Sequence, residues 1–347
     1  MRPFVALVGT IAVAAAIGTA VSLTQRHPAE PPGSEQLRPL PTLNPNQPIV
    51  AFGFTVADDA ASNQVVLFGG VDNYASTWVW TGAAWVREHP RVSPPGRYGA
   101  SAAFDPQTGE LLMFGGTSQQ TEPVNDTWAW DGRTWQRLDS GGATGPTGGS
   151  QSAMVWNTRL NEMMLVTEPP GLAGAGGQTW IWSGTDWVLQ PHGELGTSYF
   201  DMVVAYDPIS QSMIAEGCCA TQRAQNPVGV QTSTWRWSGA TWQAVRTTVN
   251  PADGSSLAVD PSLGLGRLVL CGCDLRGGLD PAMWLWSGSD WVAAPYPPVP
   301  IAPQAAVTDS RTSSLLFLGS AISGADSLSQ TVDVWTLRNG SWVQLGI

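Results

Sequence analysis

Beyond residue 48 the apolar positions of this chain come in short runs punctuated by Gly, Pro, Asn and Asp, and none repeats with the period of a long amphipathic helix. The runs predict strands. Val65 to Gly70 reads VVLFGG, Leu111 to Gly116 LLMFGG, Leu268 to Cys273 LVLCGC and Leu315 to Ser320 LLFLGS, with MMLVTE and MIAEGC at the matching places of two further units. Ten residues before the first of those glycine positions stands Asp59, Asp105, Asn157, Asp207 or Asp309, with Asp260 displaced by a short insertion. Asp and Asn start turns, because their side chains bond the backbone just ahead of them, so each marks a hairpin between an inner strand and the next.

A second pattern follows each run. Trp-x-[Trp or Leu]-x4-Trp occurs six times, at Trp78, Trp80, Trp85; Trp128, Trp130, Trp135; Trp180, Trp182, Trp187; Trp235, Trp237, Trp242; Trp284, Trp286, Trp291; and Trp335, Leu337, Trp342. The first two residues of a triad share one face of a strand, and the third lies across a tight connection on the following strand. Gly82, Gly132, Gly184, Gly239 and Gly288 sit midway, with Asn339 in the sixth copy. Both residue types tolerate the left-handed backbone that a short hairpin demands. Each unit is therefore a four-stranded antiparallel sheet of roughly fifty residues. The fold class is all-β, a six-bladed β-propeller with blades near 49–89, 97–139, 150–190, 199–246, 254–294 and 302–347. The last unit carries its own fourth strand, so no exchanged closing strand is expected.

The di-glycines Gly69-Gly70 and Gly115-Gly116, the third-strand aromatic pair, the fourth-strand Trp and the Arg97-Tyr98-Gly99-Ala100-Ser101-Ala102 opening of the second unit resemble the kelch repeat of galactose oxidase-type propellers. The resemblance covers about 49–347 and implies the propeller fold. It departs from the pattern where the second glycine becomes Glu168, Cys218, Cys273 or Ser320. It does not carry the copper site, since none of the five Tyr pairs with a His in the repeat.

Ahead of the repeats, Phe4 to Leu23 is uncharged and apolar and follows Arg2. Twenty such residues can cross a bilayer as a helix with the positive end inside, which places the rest of the chain outside the cytoplasm. Residues 1–23 read as either a cleaved signal peptide or a single-pass anchor, and 24–48, rich in Pro, as an extended linker.

Composition narrows the chemistry. The net charge is −11 and every one of the 16 basic residues is Arg. Nucleic acid is thereby disfavoured as a partner, and lysine Schiff-base chemistry is excluded. Seventeen of 18 Trp belong to the triads, so recurrence at one structural position assigns them to packing between blades, and Trp156, aligned with Phe104, to an inner strand.

The connections between second and third strands and between blades are long and emerge on one face, including 168–178, 217–233, 273–281 and 86–97. Long loops on a rigid scaffold are where binding resides, making His89, Arg91, Arg97, His192, Arg223 and Arg276 the candidates. Cys218-Cys219 and Cys271-x-Cys273 fall in adjacent units. They suggest inter-blade disulfides in an exported protein, against unpaired or vicinal thiols or a thiolate metal site. No catalytic residue, metal site or cofactor stands out. The expected function is an extracytoplasmic module binding or scaffolding a protein or glycan, membrane-attached if the leader is retained. A carbohydrate-active or oxidase-type propeller enzyme is the alternative.

Overall fold

Six strands end on Asp or Asn: Thr55–Asp59, Ser101–Asp105, Ser152–Asn157, Phe200–Asp207, Gly254–Asp260 and Ile301–Asp309. All six terminal side chains accept a backbone N–H from the turn ahead. Ser62 donates to Asp59 at 3.2 Å, Gln107 to Asp105 at 2.8 Å and Leu160 to Asn157 at 3.2 Å. Ile209 donates to Asp207 at 3.1 Å, Ser262 to Asp260 at 2.9 Å and Arg311 to Asp309 at 3.1 Å. All six are buried, so these bonds offset the loss of water around a polar group and fix the hairpin. At the other hairpin of each unit Gly82, Gly132, Gly184, Gly239 and Gly288 hold φ between 87° and 100°, and Asn339 stands at 51°, as the spacing of the triads predicts.

The computed structural model describes residues 47–50, 52–71, 74–142, 144–149, 152–167, 177–195, 200–218, 234–249, 251, 254–272, 283–297, 300–321 and 330–346. These form six four-stranded antiparallel sheets whose spatial order follows the sequence, for example Thr55–Asp59, Gln64–Phe68, Thr77–Trp80 and Trp85–Glu88 in the first. Each first strand touches those of both neighbouring blades, closing a ring of six. The fold is a six-bladed propeller. The last blade does own its fourth strand, Ser341–Leu345. A smaller tie crosses the closure, where Ile49–Val50 pairs with Gln330–Thr331 and Val332 donates to the Pro48 carbonyl at 3.0 Å. Gly70 explains one di-glycine: a Cβ there would stand 2.5 Å from the Val50 side chain, and one at Gly69 2.4 Å from the Arg97 carbonyl. The apolar N-terminal segment and most of the Pro-rich linker lie outside the described residues. No described helix is long and apolar enough to cross a membrane.

Packing resolves into six apolar clusters, one per blade interface. In each, the triad of one blade lies against the second-strand residues of the blade before it; Trp128, Trp130 and Trp135 meet Ala57, Val66, Phe68 and Val79. Within five blades the second and third triad indoles tilt together at centroid separations of 5.5, 5.3, 5.1, 5.3 and 5.0 Å. The fourth-strand indole then reaches across the interface. Trp135 donates to Thr77 Oγ1 at 3.0 Å, Trp187 to Thr127 at 2.9 Å, Trp242 to Thr179 at 2.8 Å and Trp291 to Thr234 at 2.9 Å. Each acceptor is the residue just before the first Trp of the preceding triad.

Two interfaces lack that threonine. Met283 occupies its place in blade five, and Trp342 turns to the Pro297 carbonyl at 2.9 Å. Val334 occupies it in blade six, and the Trp85 indole N–H is buried without an acceptor. Replacing Thr127 by Val should strand the Trp187 N–H in the same way and cost about 1–3 kcal/mol. Replacing Val334 by Thr should supply Trp85 and gain about 0.5–1.5 kcal/mol. Both are read as opposite shifts of the denaturant midpoint at unchanged m.

Candidate functional site

The six first strands wall a central channel, and its two ends differ in chemistry. At the long-loop end a cavity of about 260 Å³ is bordered by Thr55, Ser101, Ser152 and Ser256. Their hydroxyls stitch neighbouring blades: Thr55 donates to the Ala100 carbonyl at 2.6 Å, Ser101 and Ser152 share a bond of 3.0 Å, and Ala306 N–H donates to Ser256 at 2.5 Å. Small hydroxylated residues there let the strands approach closely and satisfy one another.

At the short-turn end a larger cavity, about 570 Å³, is ringed by Asp58, Phe104, Trp156, Tyr206, Val259 and Thr308. These six occupy one repeat position, the residue before each turn-starting Asp or Asn. The strand's alternation puts them on the opposite face from those caps. All six are half-buried, whereas the neighbouring caps are buried. Three consecutive blades contribute aromatics, and the facing three contribute Val259, Thr308 and Asp58. The Asp58 carboxyl is raised above its ordinary value chiefly by burial; hydrogen bonds from Ser310 pull it down in part, and the charges of Asp309 and Asp59 push it up. Burial also raises the Tyr206 phenol, Arg159 offsetting part of that and Asp207 adding to it.

The candidates named from the sequence are dispersed. His89 and Arg91 are exposed. The connection that carries them runs to the third-to-fourth-strand hairpin of the next blade, where Val92 N–H donates to Thr134 Oγ1 at 3.2 Å and Trp135 N–H to the Val92 carbonyl at 3.2 Å. That connection is thus not confined to the long-loop end. His192, exposed and at φ 70°, belongs to the junction of blades three and four. Arg223 and Arg276 lie outside the described residues, as do Cys219 and Cys273. Cys218 ends the strand Ser212–Cys218, with its side chain outside the description. Cys271 is buried on the strand Arg267–Gly272. The expected inter-blade disulfides therefore fall outside what the structure describes.

Arg97 is removed from the surface altogether. At 1 % exposure it donates to both carboxylate oxygens of Asp126, at 2.5 and 3.2 Å, and to the carbonyls of Pro95 and Gly115. Its own backbone bonds Gly70 and Tyr74 of blade one. One residue thereby ties the long loops of two blades together. Burial alone would raise the Asp126 carboxyl, but its bonds to and charge pairing with Arg97, helped by Trp128 and Arg137, hold it below the ordinary value.

Glu216 escaped the sequence reading. It stands where blades one and two have Phe68 and Phe114, is 3 % exposed, and accepts from Thr234 Oγ1 at 2.6 Å. The indole-threonine bond of that interface thus extends one step to a carboxylate. Its signal was the acidic residue breaking the apolar run MIAEGC. Among the described residues no group of three or more His, Cys, Asp and Glu side chains gathers as a metal site would require.

No protein-family model matches the chain, and no curated protein matches it. Among solved structures 215 chains are similar. One is the structure of YjhT, at a TM-score of 0.54 and 13 % identity, covering 86 % of this chain and 99 % of that one. At that identity the likeness speaks to the propeller fold.

The Arg97–Asp126 pair sets a pH signature. Because the folded carboxyl titrates lower than an unfolded one, the stabilisation is complete above about pH 3.9 and drains away as pH falls through the lower folded value. Arg97→Met should cost about 3–5 kcal/mol at neutral pH by removing the main partner of the buried Asp126 carboxylate, which keeps only the Trp128 indole at 2.8 Å and Arg137 at 3.9 Å. Denaturant titrations across pH should find that gap narrowing in acid, once the carboxyl is protonated.

Proposed function

We propose that this chain is an extracytoplasmic binding propeller that holds a protein or glycan against a rigid blade stack. One observation carries the reading. Among the described residues the capping Asp side chains, the strand-three threonines and the long-loop-end hydroxyls are bonded within the protein, while the turn-end mouth is bordered by half-buried aromatics. A scaffold arranged this way offers contact surface rather than reacting groups. The ring positions hold a single carboxylate, Asp58, and acid–base hydrolysis calls for two acting together. The export half of the reading rests on the charge-free run after Arg2 and the Pro-rich spacer behind it.

Both halves are open to test with the full-length chain. An epitope at the C-terminus should be digested when protease is added to intact cells; full protection would defeat the assignment outside the cytoplasm. Purified full chain should retain a subset of glycans or a defined protein saturably, and failure to retain any would defeat the binding role.

A further inference from the structure

Among the described residues, the larger cavity is the asymmetric ring at the short-turn mouth. Phe104, Trp156 and Tyr206 come from consecutive blades whose first strands adjoin, so the aromatics occupy one side of the rim. Val259, Thr308 and Asp58 form the other half. Ala103, Ala205 and Ala258 also line the cavity. Trp156 is the one Trp outside the triads. Part of it packs against the cluster between blades two and three, and the remainder borders the cavity.

Shape and chemistry choose among ligands. A cation held by aromatic faces is favoured when they desolvate it on several sides. Here the aromatics cover only half the rim. A one-sided arc suits a flat ligand with an apolar face and a polar edge. The opposite arc can meet that edge: a carboxylate offers about four acceptor positions, and Asp58 uses two of them for Ser310, accepting its N–H at 3.2 Å and its side-chain hydroxyl. Thr308 donates to the Val259 carbonyl at 2.6 Å, keeping lone pairs for an incoming hydroxyl. Exposed Thr158 adds a further hydroxyl at the border. The volume falls within the range of small-ligand sites.

Resting on the binding function proposed above, we infer that the turn-end mouth is a site for one pyranose ring of a glycan. The sugar's C–H face stacks on the Phe104–Trp156–Tyr206 arc, and its hydroxyl edge bonds Asp58.

The test uses the full-length chain with methyl glucopyranoside, galactopyranoside and mannopyranoside as probes, followed by saturation-transfer NMR and tryptophan fluorescence. At least one should saturate, with millimolar affinity expected of so small a ligand, on the order of −4 kcal/mol. Trp156→Phe and Asp58→Asn should each weaken it about tenfold or more, with the unfolding midpoint close to that of the parent. Should Trp156→Phe fail to fold, Asp58→Asn alone decides. If the chain retains glycans but both variants bind them as the parent does, this site is overturned and the binding function stands. If tetramethylammonium saturates at the mouth and no pyranoside does, the ligand class is overturned. If the chain retains neither glycan nor protein, the binding function falls and the site with it.

Discussion

Four of the six fourth-strand indoles find the same acceptor across a blade interface, whereas the third-strand indoles of Trp80, Trp130, Trp237 and Trp286 are buried without one. The fourth-strand Trp of one blade donates to the threonine just before the first triad Trp of the blade before it, at 2.8 to 3.0 Å. The bond is modest in energy, but it acts inside a large apolar contact and so fixes the register of one sheet on the next. Where threonine is missing the geometry adapts or goes unmet, as at Trp342 and Trp85. The unmet case lies at the closure between the last blade and the first. There the chain adds the pairing of Ile49–Val50 with Gln330–Thr331.

The rest of the architecture follows from that stacking. With every triad facing the preceding blade, the residue between its first two members faces the next one, as Val79 and Ala129 do. The tryptophan face of each sheet thus meets a face of smaller apolar residues, with Phe68 and Phe114 packed edge-on to Trp135 and Trp187. Inner strands are drawn close enough for serine and threonine hydroxyls to bridge them at the long-loop end of the channel. At the other end the capped turns hold the six ring residues apart around an open mouth.

Much of this was legible along the chain. The turn-starting Asp and Asn, the midway Gly and Asn339, and the triad spacing each encode a local backbone geometry, and each is found where the spacing places it. The assignment of the triads to inter-blade packing holds for the same reason, since a residue recurring at one position does one job. The candidate site was harder. Arg97 looked like a loop cation available to a ligand, but Asp126, 29 residues downstream, encloses it. Glu216 was hidden among apolar neighbours, because its partner Thr234 comes from another strand.

The ring at the turn-end mouth draws the same line. Asp58, Phe104, Trp156, Tyr206, Val259 and Thr308 share a repeat position ahead of the turn-starting Asp or Asn but no residue type, so the sequence places them without giving the mouth they form. The sequence by itself determined the strands, the turns, the number of blades and the fate of the tryptophans, because those depend on contacts a few residues apart or repeated at a fixed period. Only the tertiary structure decided which polar groups remain open and which side chains share a mouth. Those properties depend on residues about fifty positions apart being brought around one axis, and that closure is made by packing between blades.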